Sequence, residues 1–245
     1  MAFAGRPVES DLSPAGWLPA ALVPGARVAS LVPPVFAAYA RIFHPALRYA
    51  GDDDVEVRWA AVAAANGTTA HPLMQWGSVT GSLEYFENDD QAPLWHCAPA
   101  RGHLPVPVAA RLAAVLRRHT ADPDDCWFGV AAALGNPIAD GAALPLPRGS
   151  AWLIRGPIEL ATANLAEEPS EQSASLWWPA DRSWFVATDA DLVSSYVGGS
   201  GACIAAILAA DGLESAPAQP EHPVSGDADL VNPPPADVLD APERG

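Results

Sequence analysis

LWWPADRSWFVATDADLVSSYVGGS, residues 176–200, places three tryptophans, an Asp-Arg pair, alternating acids and a run of glycines within 25 residues. Period-2 spacing puts Trp184, Val186 and Thr188 on one strand face and Phe185 and Ala187 on the other, so one of these faces must be core. Trp177 and Trp178 precede Pro179 and read as a loop in which at most one of the two rings turns inward. Tyr196-Val197-Gly198-Gly199-Ser200 then leads into a helix over Ser200–Ala210, with Ser200 as its N-cap and Ile204, Ile207 and Leu208 facing a sheet.

Outward from this stretch, strand character recurs at Leu73–Phe86, Cys126–Ala133 and Ala151–Leu160. Helical spacing appears at Val35, Phe36, Tyr39, Ile42 and Phe43, starting at Pro34 and ending at His44-Pro45. Val55, Trp59, Val62 and Ala63 predict a second helix, with Asp52, Asp53 and Asp54 capping its start and Gly67 just past its end. Val108, Leu112, Val115 and Leu116 predict a third over 106–118, whose terminal Arg117, Arg118 and His119 complement the dipole. The expected fold is α+β: a mainly antiparallel sheet packed against three to four helices. Residues 1–27, rich in proline and glycine, read as an extended arm, 28–215 as a single domain, and 216–245, proline-rich and acidic, as a disordered tail.

Composition excludes several chemistries. All thirteen basic residues are arginine, so there is neither a Schiff-base lysine nor a Walker A lysine. Net charge is −16, with eight acids against one base from Asp211 onward, and a phosphate backbone would be repelled. Nucleic acid is therefore not an expected partner. Three cysteines make no disulfide framework and fit a reducing cytoplasm, and neither a secretion signal nor a membrane span is legible. His96, Cys97, His119 and Cys126 match no zinc spacing, so neither a metal nor a cofactor is expected. Gly198–Ala202 departs from both the dinucleotide-binding and the nucleophile-elbow glycine patterns.

The residues left as a candidate site are Trp177, Trp178, Asp181, Arg182, Trp184, Tyr196, Gly198, Gly199 and Ser200. Arginine clamps carboxylates or phosphates and stacks on indole, so Trp178 with Arg182 reads as a pocket for a planar or anionic group. The alternative assigns Asp181 and Arg182 to an ion pair fixing the loop. Trp177-Trp178-Pro179-Ala180-Asp181-Arg182, Trp184 with Val186–Asp189 and Asp191, and Tyr196–Ser200 together resemble a group of uncharacterised proteins from GC-rich actinobacteria. More weakly, the resemblance extends to Pro33–Phe36 and His44-Pro45; it implies a source and no activity, and Phe185 stands where the pattern leads one to expect a cysteine.

The leading expectation is a non-enzymatic cytoplasmic binding protein that presents the 177–200 surface to a protein partner or a small anionic ligand. The alternative is a hydrolase or transferase in which Arg182 and the Gly198–Ser200 turn hold an anion, with Asp181, Asp189 or Asp191 as base. A third assigns binding of a basic partner to the acidic tail.

Overall fold

In the computed structural model, residues 2–51, 53–82, 91–131, 143–147, 149–166 and 171–235 are described. The chain runs through β1 (Ala2–Phe3), β2 (Arg6–Pro7), α1 (Leu18–Ala21), β3 (Ala38–Phe43), β4 (Ala46–Ala50), β5 (Asp53–Val57), α2 (Trp59–Asn66) and α3 (Trp76–Thr80). It continues through α4 (Val106–Leu116), β6 (Cys126–Ala131), β7 (Leu144–Leu146), β8 (Gly149–Gly156), β9 (Leu176–Pro179), β10 (Trp184–Thr188), β11 (Ser194–Gly199), α5 (Gly201–Leu208) and β12 (Ser215–Ala218). Eight of these strands form one sheet in the order β12-β3-β11-β10-β9-β6-β8-β7, every neighbouring pair antiparallel. This is the α+β architecture expected.

Both faces of the sheet are core, not one. Trp177, Trp184, Val186, Phe128 and Ile154 project towards α4 and α5, which answer with Val108, Leu112, Leu116, Ile204 and Ile207. Trp178, Phe185, Ala187, Trp127 and Leu153 project the other way, under Leu18, Leu22, Val28, Leu31 and Val32 of the N-terminal arm, which in the structure runs on past residue 27 to the start of β3. Double coverage explains why the central strands read as almost continuous apolar runs. It also explains the full burial of Trp177, Trp178 and Trp184; Trp59, Trp76 and Trp95, equally buried, pack together in a separate cluster around α2 and α3, each ring contributing upwards of about 2 kcal/mol in transfer free energy.

Three expectations are corrected. Residues 38–43 form β3, not a helix. Ala40 and Ile42 face the helices and Tyr39 faces the arm, so a strand buried on both sides shows apolar positions that also fit a 3.6-residue period. Asp53 and Asp54 lie in β5, which pairs with β4, while Asp52 is outside the described residues. Helix α2 starts at Trp59 and is closed by Gly67, just past Asn66, with φ 69°, the expected left-handed cap. Of the strand expected at Leu73–Phe86, residues 76–80 form α3, stopped by Gly81 at φ 80°, and 83–86 lie outside the described residues, as do Ala132 and Ala133 beyond β6. Helix α4 and helix α5 stand where the periodicity placed them.

The boundary of the acidic tail also moves. Residues 215–218 add β12 to the edge of the sheet against β3, where Pro217 costs no ladder donor of a central strand. The following segment pairs with the arm, Val28 and Ala29 donating to the carbonyls of His222 and Pro220 at 3.0 and 2.9 Å. Asp229 then pins it: its carboxylate accepts from His71 Nε2 at 2.8 Å, from the Asn232 and Val231 amides at 2.9 and 3.0 Å, and from the Gln75 amide at 3.2 Å. These hydrogen bonds hold it well below the usual carboxylate range against the opposing pull of burial. Local composition could not show partners so distant in sequence. Residues 236–245, the remainder of the expected tail, lie outside the described residues.

Candidate functional site

The candidate residues of 177–200 occupy structural positions. Trp177 and Trp178 lie in β9, not in a loop, and are 1% exposed. Trp177 stacks on Phe128 with centroids 6.3 Å apart and meets Trp184 edge-on at 5.3 Å, while Trp184 donates its indole N–H to the Leu116 carbonyl at 3.1 Å. Trp178 stacks on Phe185 at 5.5 Å. Tyr196 is buried under the arm. The sequence expectation of an exposed aromatic surface is therefore corrected: in a two-faced sheet both neighbouring rings point inward, on opposite sides.

Asp181 and Arg182 serve separate contacts in the β9–β10 turn. Asp181 accepts from the Ala121 amide at 2.8 Å, the Thr120 hydroxyl at 3.0 Å and the Ser183 amide at 3.0 Å, which together lower its pKa despite partial burial. Arg182, at φ 55°, lays its guanidinium over Trp17, not Trp178, 4.9 Å from the ring centroid, and reaches the Pro14 carbonyl at 3.4 Å. Asp189 and Asp191 follow the far end of β10, roughly 15 Å of strand away at about 3.3 Å per residue. They do not converge with Arg182.

Gly198 and Gly199 belong to β11, not to a turn. A Cβ on Gly198 would lie 2.5 Å from Phe36 and 2.8 Å from Val32, and one on Gly199 would lie 3.2 Å from the Cys203 sulfur. These glycines let the arm and α5 approach the sheet. Ser200 caps α5, accepting from the Cys203 amide at 3.1 Å, as the sequence predicts.

Several polar groups escaped sequence reasoning because their partners lie far along the chain. Arg41, 3% exposed, donates to Ser194 Oγ at 3.0 Å and to the Met74 carbonyl at 2.8 Å, over the rings of Phe43 and Trp59. His44 Nδ1 faces the Ala100 carbonyl at 2.7 Å, so that nitrogen carries the proton, and Nε2 accepts from Ser195 Oγ at 2.9 Å. Ser195 in turn bonds Thr188 Oγ1 at 2.6 Å. A hydroxyl, an imidazole and an orienting carbonyl in this order resemble a nucleophile and its base. Both His44 and Ser195 are 0% exposed, however, so neither is open to solvent. Burial pushes His44 down to about 4, so it is neutral near neutral pH. Burial likewise pushes Cys126 up to about 12 and Cys203 to about 11, so neither is a thiolate under ordinary conditions. Among the described residues, no group of three His, Cys, Asp or Glu side chains could hold a metal ion.

An open concavity arises on the arm face from a gradient in side-chain size. One end of that face carries Trp127, Trp178 and Phe185. Towards the other end, the same faces of β6, β8 and β10 carry Gly129, Ala131, Ala151 and Ala187, with Ala131 opposite Ala151 and Ala187 opposite Leu176. The arm bridges this end through Leu22 and Leu31 and does not fill it, leaving a cleft of about 110 Å³. Leu146 and Pro147 form another wall, and Ser150, Ser175 and Asp189 supply polar atoms. This cleft is smaller than the engineered apolar cavity of about 150 Å³ that admits benzene but is open on one side, so it suits a short aliphatic chain or one small ring that projects partly into solvent.

No family model, curated protein or solved structure matches the chain. No helix among the described residues is long and apolar enough to cross a membrane.

Proposed function

We propose that this is a binding protein that holds a small, largely apolar ligand in the cleft between the N-terminal arm and the sheet, the ligand's polar end lying towards Asp189. The observation that carries this reading is the run of small side chains, Ala131, Ala151 and Ala187, that line the cleft on a face whose other end is filled by Trp127, Trp178 and Phe185. Interiors are close-packed, and a concavity of this size beneath a bridging arm forgoes contacts that larger side chains would make. The reading keeps a non-enzymatic binding role and moves it from the 177–182 rings to the opposite end of the same strands. Three free cysteines support placement in a reducing cytoplasm, and the acidic surplus speaks against a nucleic-acid partner.

Native mass spectrometry of protein purified gently from its host tests the proposal. A bound small molecule present in the wild type and missing from Ala187→Leu, which fills the cleft, supports it. An identical adduct in both proteins contradicts it.

A further inference from the structure

On the opposite face of the sheet, where α4 begins, a second hollow of about 150 Å³ is lined by His103, Val106, Asn164, Glu171, Gln172 and Ser173. Its chemistry differs from that of the apolar cleft. Gln172 is 5% exposed, and among the described residues its amide nitrogen has no hydrogen-bond partner. Buried side-chain donors are almost always paired, because the water lost on burial must be replaced. The backbone of Gln172 is fixed, its N–H donating to Asn164 Oδ1 at 3.0 Å and its carbonyl accepting from the Leu165 amide at 2.8 Å. The main chain that carries the orphaned amide is thus held in place.

The same hollow receives the start of an eleven-residue helix. Among the described residues α4 has no side-chain cap and no acidic residue in its first turn. Its first intrahelical bond runs from the Ala109 amide to the Pro105 carbonyl at 2.9 Å, and Pro107 has no N–H, so among the described residues Val106 and Val108 carry the remaining unbonded amides of the first turn. A helix N-terminus favours negative charge through these donors and through its dipole. His103 adds an imidazole at the rim, where Glu171, 77% exposed at its side chain, approaches its Nε2 at 3.4 Å.

We propose that this hollow is a binding site for a small oxyanion, a carboxylate or a phosphate group, taken up by the Gln172 side-chain amide and the first turn of α4. An oxyanion supplies the acceptor that Gln172 lacks and neutralises the uncapped helix end in one step. Glu171 is the counterweight: its carboxylate at the rim opposes a second negative charge, which keeps the affinity modest and favours a ligand whose remainder projects into solvent.

The test is a two-dimensional NMR titration of the full chain with sodium phosphate and, separately, sodium acetate, each against sodium chloride at matched ionic strength. The Gln172 side-chain amide and the Val106 and Val108 backbone amides should shift saturably with at least one of the two anions. Which one does so identifies the phosphate or the carboxylate as the source. Gln172→Leu, which replaces an unpaired buried amide with an apolar group of similar size, should weaken that binding at least tenfold without lowering the melting temperature. Absence of saturable shifts with both anions, the same shifts in chloride, or unchanged affinity in Gln172→Leu would overturn the assignment.

Discussion

Arg182 lies over Trp17, its guanidinium carbon 4.9 Å from the indole centroid, and Trp17 meets Trp178 and Phe185 edge-on at 6.3 and 6.0 Å. The arginine is the exposed lid of an aromatic stack that fastens the N-terminal arm to the sheet. A cation over a ring at an exposed site contributes about 0.5–1 kcal/mol, whereas truncating a buried tryptophan costs about 3–5 kcal/mol. Denaturant unfolding should therefore show Arg182→Ala within about 1 kcal/mol of the wild type and Trp178→Ala several kcal/mol below it. Equal losses would contradict the stack.

Gly198 makes the close approach of the arm testable at one atom. Phe36 is half-buried and can swing aside, but Val32 is fully buried and cannot, and a Cβ on Gly198 would lie 2.8 Å from it. Gly198→Ala should cost about 1–3 kcal/mol, as overpacking does. The loss should appear as faster amide exchange in residues 28–32, and unaltered exchange there would show that the arm has room.

His44 sets the response to acid. Its ordinary value of 6.5 falls to about 4 in the fold, so between these values the unfolded chain binds a proton that the native chain does not. Stability must then fall as pH drops from about 6.5 towards 4, by roughly 2–3 kcal/mol at one unit of pKa per 1.36 kcal/mol. Glu214, whose carboxyl is raised by burial, works in the opposite sense, and the lowered Asp181 and Asp229 lose their contribution only at lower pH. Denaturation curves at pH 7 and 4.5 should show the decrease in the wild type and a smaller one in His44→Gln. The same decrease in both would clear the imidazole of the effect.

Asp229 should govern the segment from 219 to 235. Replacing it with alanine leaves His71 Nε2 and the Val231 and Asn232 amides without their acceptor. Hydrogen bonds to a charged group contribute about 1.5–3 kcal/mol. Limited proteolysis of Asp229→Ala should cut within this segment first while the sheet core stays intact; a wild-type cleavage pattern would show the segment to be held by other contacts.

How much of this was legible depends on where each residue finds its partners. Helices α4 and α5, the Ser200 cap and the alternation along Trp184–Thr188 are local patterns, and periodicity and capping chemistry revealed them. Strand β3 reads as a helix in the sequence because covering both faces of a strand erases the period-2 signal that marks a half-buried one. The tail boundary is not legible in the sequence because the strand partner of Ser215–Ala218, and the His71 and Gln75 groups that hold Asp229, lie more than 150 residues away. Residues 177–182 drew attention as a site because tryptophan and arginine serve cores and ligands alike. Ala131, Ala151 and Ala187 drew none, since an alanine in a sequence does not announce the space beside it; only the register that sets three of them on one face does.

The most direct test of the central claim is a methyl NMR titration of the wild type with benzene and with 1-butanol. Saturable shifts are expected at Leu22, Leu31, Leu146 and Leu176, which line the cleft, and should disappear in Ala187→Leu. Shifts scattered over the surface, or none at these leucines, would contradict that claim.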